Sequence, residues 1–260
     1  VYKRQLEGKA KGGNTEYWNM IARKYAECVE MSEYDYGVKI RNIFRREEII
    51  SSDSVVIDIR AGPGSVAIPL AEYTRKVVAV EPTSEMVRFL LRNASKKGVT
   101  NIEVINKKWE EINVAEIEGV FDVAICCNVL QLFRDVDNQL LRIALISDYY
   151  CAAVSTGYDS NDFCDNLGFR RCKYSDLDCL VNIIRSMGWI PNLEVVDVVM
   201  KRSAMSAIRM WELFLARHGE VSEKDRKIIR EYILSKSKDG VYEERGKWRL
   251  SGGNYERVFK

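Results

Sequence analysis

The sequence predicts an α/β fold, a mainly parallel β-sheet with helices on both faces, and three observations carry that reading. Short apolar runs rich in Val and Ile end at residues 59, 80 and 127, as expected for strands covered on both sides. Amphipathic stretches with apolar residues three and four apart lie between and around them. The first run carries Asp58 and leads into a glycine turn, Arg60-Ala61-Gly62-Pro63-Gly64, and the second is closed by Glu81, 23 positions after Asp58. That distance spans one strand, one helix and the next strand of a βαβ unit.

The elements follow in order. Trp18, Ile21, Ala22, Tyr25 and Val29 form one apolar face in a helical region over 14–48. Ser51-Ser52-Asp53-Ser54 breaks it before the first strand at 54–59. A helix over 64–74 and a strand over 76–81 complete the first unit. Ser84-Glu85-Met86 opens a helix that stops near Gly98. A short strand at 101–105 precedes a loop bearing Trp109, and 121–127 is the next strand. A helix at 137–146, a strand at 149–155, a helix at 175–187 stopped by Gly188, and a strand at 193–200 continue the alternation. Two helices follow at 204–217 and 222–236, the second opened by the acidic capping box Ser222-Glu223-Lys224-Asp225. Tyr255–Phe259 reads as a final strand.

Bulk properties narrow the class. The 260 residues are 47% hydrophobic and 30% charged, which is globular composition and long enough for a full core. The formal net charge of +2 provides no global basic field for nucleic acid. No apolar run reaches a membrane span and the first residues carry no signal-peptide core, so a cytoplasmic protein is expected. Seven cysteines lack any C-x-x-C pair and the sole histidine is His218, so no metal site is expected. Cys126 and Cys127, within an apolar run, read as small buried residues in a reducing compartment.

The glycine turn and Glu81 carry the chemistry. Glycines let the backbone approach a ligand closely, and a carboxylate can take both hydroxyls of a ribose. The pattern resembles the class I S-adenosylmethionine-dependent methyltransferases. Their first motif is matched by Asp58-Ile59-Arg60-Ala61-Gly62-Pro63-Gly64, and their second, an acid closing the next strand, by Glu81. The resemblance covers 54–200 and departs from the family at Arg60, where the motif has glycine. It implies a Rossmann-like sheet of seven strands, the last antiparallel and inserted beside the fifth, with helical caps. The division expected is an N-terminal cap at 1–50, a cofactor-binding core at 51–203, a helical insertion at 204–250 and a final core strand at 251–260.

The resemblance also implies the cofactor, S-adenosyl-L-methionine, and its contacts. Asp58, Arg60, Ala61, Gly62, Gly64, Glu81, Pro82 and Met86 would contact it, with the Gly62–Gly64 turn against the methionine portion and ribose, Asp58 orienting the ammonium, Glu81 at the diol and Met86 against adenine. Lys108 stands where relatives carry an acid for the adenine amino group, and its backbone or a stacked Trp109 would hold the base instead. Cys127 and Asn128 would border the methyl group, with Gln131 and Tyr25 toward the acceptor. Simpler roles compete: Trp109 and Met86 as core, Tyr25 as part of its helix face, Asn128 as a helix cap. Gly62-Pro63-Gly64-Ser65-Val66-Ala67 also fits a dinucleotide fingerprint, but Asp58 sits where such a strand is normally apolar. The function expected is methyl transfer by in-line displacement to a small molecule, which needs alignment and exclusion of water more than a base. A catalytically silent binding protein of the same fold is the alternative, supported by Arg60 and Lys108.

Overall fold

The computed structural model describes residues 15–117, 120–133, 135–158, 167, 176–216 and 220–254. The strands are β1 (Val55–Ile59), β2 (Lys76–Val80), β3 (Ile102–Ile105), β4 (Phe121–Cys127), β5 (Ser147–Tyr158), β6 (Asn192–Ser203), β7 (Ser237–Lys238) and β8 (Val241–Asn254). The helices are α1 (Thr15–Met31), α2 (Asp35–Arg46), α3 (Ala67–Ala71), α4 (Ser84–Lys96), α5 (Val136–Ile146), α6 (Asp176–Ser186), α7 (Ala204–Ala216) and α8 (Glu223–Lys236). Among the described residues, no helix is long and apolar enough to cross a membrane.

The strands form one sheet in the order β3-β2-β1-β4-β5-β8-β6, with β7 pairing β8. Strands β1 to β5 pair in parallel, and β8 runs antiparallel between β5 and β6. The chain moves outward from β1 through β2 to β3, then returns to β4 on the other side of β1. This reversal opens a crevice at the carboxyl ends of β1 and β4, where open α/β sheets bind ligands.

Side-chain alternation splits the core between the two faces. Val56, Val77, Ala79, Val123 and Ile125 pack with Tyr36, Ile40 and Phe44 of α2 and Leu70 of α3. Ile57, Ile59, Val80 and Ala124 face the other way, against Trp109, Phe133, Leu140 and Ile143 of α5, and Leu180 and Ile184 of α6. Every residue of β1 is buried, so its period of two is hidden in an unbroken apolar run. Burying a side chain the size of Ile57 contributes about 1.5–3 kcal/mol, which makes the central strands the rigid base of the crevice.

Several boundaries differ from the sequence reading. The region 14–48 is two helices, separated by a turn in which Glu33 and Tyr34 take positive φ. The predicted helix over 64–74 shortens to α3, because the chain first turns through the glycine loop. The antiparallel strand begins at Val241, inside the segment assigned to the helical insertion, and Tyr255–Phe259 lies outside the described residues. The Ser222 box forms as read: Ser222 Oγ accepts from the Asp225 N–H at 3.2 Å, and Asp225 Oδ2 accepts from the Ser222 N–H at 3.0 Å.

Helix α1 packs along α4 through Ala22, Ala26, Met86 and Phe89, joined by Trp18 and Tyr25. Glu30 ties its far end to Arg92 and Lys96, and Asn19 Oδ1 accepts from the Glu85 N–H at 3.2 Å. Helices α7 and α8 form a separate cluster with Tyr242 of β8, built on Ala207, Ile208, Ile229 and Ile233. The Ile208 face and the Trp18 face therefore belong to different clusters. Each apolar stripe found a nearer partner, α1 on α4 and α7 on α8.

Candidate active site

Strand register assembles the crevice. Asp58 pairs across to Ala79 and Ile125, and Ile59 to Val80 and Cys126, so the residues that leave β1, β2 and β4 emerge level. Those residues are Arg60, Glu81 and Asn128. Arg60 (φ 61°) and Asn128 (φ 55°) both take left-handed conformations, rare for residues with a Cβ, as the chain bends sharply off each strand. The Asn128 N–H donates to the Ala153 carbonyl at 2.7 Å, which extends the β4–β5 ladder past the bend.

Glu81 organises the turn. Its Oε2 accepts from the Gly62 N–H at 2.9 Å and its Oε1 from the Thr83 N–H at 2.8 Å. Glu81 also lines the crevice, and a carboxylate can accept further hydrogen bonds from a ligand. Burial raises the Glu81 pKa, and those hydrogen bonds together with the Arg60 charge oppose the rise.

The glycines have different jobs. Gly62 (φ 56°) bends the loop beneath Tyr25, whose Cε1 would lie 3.8 Å from a Cβ built there. At Gly64 (φ 88°), a Cβ would sit 2.7 Å from Ile68 Cδ1, so the side chain is excluded by both backbone and packing. Asn93, fully buried on α4, donates from Nδ2 to the Pro63 carbonyl at 3.3 Å and steadies the loop from below.

Asp58 is 2% exposed, and its Oδ2 is buried with no hydrogen-bond partner. Burial pushes the carboxyl up to about 7. The Ala67 backbone N–H opposes the shift and the Glu81 charge adds to it. A buried, unsatisfied carboxylate beside a ligand crevice is costly on its own, and a cationic ligand would relieve that cost.

Around this centre lie Trp18 and Tyr25 of α1, Tyr36 of α2, and Ser65, Met86, Cys127 and Leu132. The Tyr25 and Tyr36 hydroxyls are 3.2 Å apart. Burial pushes the Tyr25 pKa up to about 12 and raises that of Tyr36 well above the usual phenol. Burial also raises the Cys127 thiol far above its ordinary value, so this sulfur stays protonated. A larger groove at the amino edge, between α2 and β5, β8 and β6, contains none of the motif residues.

The crevice thus gathers Tyr25, Asp58, Arg60, Ala61, Gly62, Glu81, Met86, Cys127 and Asn128, and Gly64 shapes its turn. Three expected residues lie elsewhere. Trp109 is fully buried in the core, with Arg142 stacked on its ring at 5.2 Å, and offers no face for a base. Lys108 is exposed, its ammonium 3.9 Å from Glu111. Pro82 does not line the crevice, because Glu81 and Thr83 point inward on either side of it. The side chain of Gln131 and all of His218 lie outside the described residues. Tyr36 and Thr83 were missed. Tyr36 follows Tyr25 by eleven positions on another helix, a spacing that no single helical period reveals.

A family model described as a methyltransferase domain matches residues 56–145, which contain the turn, Glu81 and the end of β4. Residues 56–145 are a methyltransferase domain. An uncharacterized protein of Haemophilus influenzae is 23% identical over 257 residues, covering 93% of this chain and 90% of that one. A probable ribosomal RNA small subunit methyltransferase A of Methanosphaera stadtmanae is 33% identical over 79 residues, 30% of this chain and 29% of that protein. Magnesium protoporphyrin IX methyltransferase of Synechocystis, solved with S-adenosylhomocysteine bound, has a similar fold, with TM-score 0.53, 12% identity and coverage of 96% and 99%. This methyltransferase uses S-adenosyl-L-methionine. The orphaned Asp58 oxygen, the Glu81 carboxylate lining the crevice and the glycine turn fit that cofactor's ammonium, diol and close backbone approach.

Proposed function

We propose that this methyltransferase acts on a small-molecule acceptor, with the cofactor held across Asp58, Gly62, Gly64 and Glu81. The observation that supports the small acceptor is α1, which lays Trp18 and Tyr25 over the crevice and narrows the space beside Cys127 and Asn128. When bound, the cofactor supplies a methyl group already activated on a sulfonium. Asp58 would orient the ammonium, Glu81 would take the ribose diol, and Met86 with Trp18 would wall the base. Helix α1 would exclude water, and the neutral Tyr25 and Tyr36 hydroxyls would orient groups rather than abstract protons.

The partial match to a ribosomal RNA enzyme covers 79 residues, and a net charge of +2 provides no global basic field for RNA. The protein, incubated with methyl-tritiated S-adenosylmethionine and cell extract divided into small molecules, RNA and protein, should place label in the small-molecule fraction. Label in RNA would overturn the acceptor class. Binding of S-adenosylhomocysteine without transfer to any fraction would favour a silent member of the fold.

A further inference from the structure

We propose that Tyr36 is a positioning residue for the methyl end of the crevice: it holds the Tyr25 hydroxyl over the Gly62 turn, so that the paired hydroxyl oxygens face the cationic methyl. The inference rests on the cofactor placement above. Glu81 leaves β2 on one side of β1, whereas Cys127 and Asn128 leave β4 on the other. A cofactor with its diol on Glu81 therefore extends its sulfonium toward the β1–β4 side. Both tyrosines lie on that side, next to Ser65 and Cys127.

Two independent anchors set the position of Tyr36. Its neighbour Gly37 packs so closely on the glycine loop that a Cβ would meet the Ser65 carbonyl oxygen at 2.0 Å and Pro69 Cγ at 2.9 Å. The corner between α1 and α2 is then pinned to the edge of the sheet. Ser32 Oγ accepts from the Lys201 N–H at 2.7 Å, and Asp35 Oδ2 from the Val199 N–H at 2.8 Å. Tyr25 approaches from α1 and meets Tyr36 at 3.2 Å. Burial keeps both phenols neutral, so they act as dipoles. The hydrogens of a sulfonium methyl carry partial positive charge and make weak contacts with such oxygens. S-adenosylhomocysteine lacks that methyl and its charge, so the affinity ratio of the two ligands isolates this end of the crevice.

The test is calorimetric titration of both ligands into the full chain and into Tyr25→Phe, Tyr36→Phe and the double variant, with melting temperatures to verify folding. Tyr25→Phe should weaken S-adenosylmethionine relative to S-adenosylhomocysteine by roughly three- to tenfold. Tyr36→Phe should shift the ratio in the same direction by a smaller factor, and should shift it no further when added to Tyr25→Phe. An unchanged ratio in Tyr36→Phe, equal loss of both ligands, or independent effects in the double variant would overturn the positioning role. Failure of the unmodified chain to bind either ligand would instead overturn the cofactor placement.

Discussion

The Glu81 carboxylate accepts the Gly62 N–H at 2.9 Å, which joins the end of β2 to the glycine turn after β1. The same side chain holds the Thr83 N–H ahead of α4. Glu81 thus shapes the backbone of the site as well as offering lone pairs to a ligand.

Glu81→Ala should weaken S-adenosylhomocysteine binding by about 1.5–3 kcal/mol, the range for lost hydrogen bonds to a charged group. It should also lower the melting temperature of the free protein, because the Gly62 and Thr83 donors lose their acceptor. Calorimetry and thermal unfolding check the two effects separately. A loss of affinity with unchanged stability would show that the backbone contacts are dispensable.

Asp58 makes both stability and binding depend on pH. Its folded pKa, about 7, lies above that of an exposed aspartate, so the folded state binds more protons between roughly pH 4 and 7. The Asp58 contribution to stability is complete below that window and declines as pH rises through it. Binding of the ammonium-bearing cofactor favours ionised Asp58 and should strengthen as pH rises from 6 to 8. Asp58→Asn should flatten both trends, read from melting temperatures of the free protein and from titrations with S-adenosylhomocysteine.

Gly64→Ala should destabilise the protein by about 1–3 kcal/mol, the cost of forcing an unfavourable backbone region. A Cβ at φ 88° also meets Ile68 Cδ1 at 2.7 Å, so the Ile68 side chain must shift. Denaturant unfolding measures the loss. A difference below 0.5 kcal/mol, the scale of an ordinary surface substitution, would show that the loop relaxes freely.

Arg60→Gly should leave S-adenosylhomocysteine affinity within about threefold, a change of less than about 0.7 kcal/mol. The guanidinium is directed to Glu110 at 3.1 Å and stacks 5.0 Å from the Phe133 ring, on the side of the sheet opposite α2. Losing the cation–π contact costs about 0.5–1 kcal/mol, and glycine recovers a similar amount by relieving the positive φ. A tenfold loss of affinity on titration would show that Arg60 contacts the cofactor.

The motif residues were legible because chemistry and local chain geometry constrain them together. Asp58, Gly62, Gly64 and Glu81 lie where a strand ends and a turn begins, and parallel register brings them level without further information. Trp109 and Lys108 were misplaced because the loop after β3 turns inward. Trp109 fills the space between Phe133 and α5, and Lys108 is left in solvent. The position of a large aromatic residue in a loop depends on which cavity the neighbouring elements leave open.

Hydrophobic periodicity, the spacing from Asp58 to Glu81 and the glycine turn determined the sheet, its parallel centre and the cofactor edge. These are short-range properties, set by side-chain alternation and backbone sterics within one βαβ unit. Tertiary structure alone decided the partners of the helices and the closure of the site. Helix α1 chose α4 over α7, Gly37 docked α2 on the loop, and Tyr36 met Tyr25 across two helices. An amphipathic stripe specifies that a face must be buried but not against which neighbour, and that choice belongs to packing among elements distant in sequence.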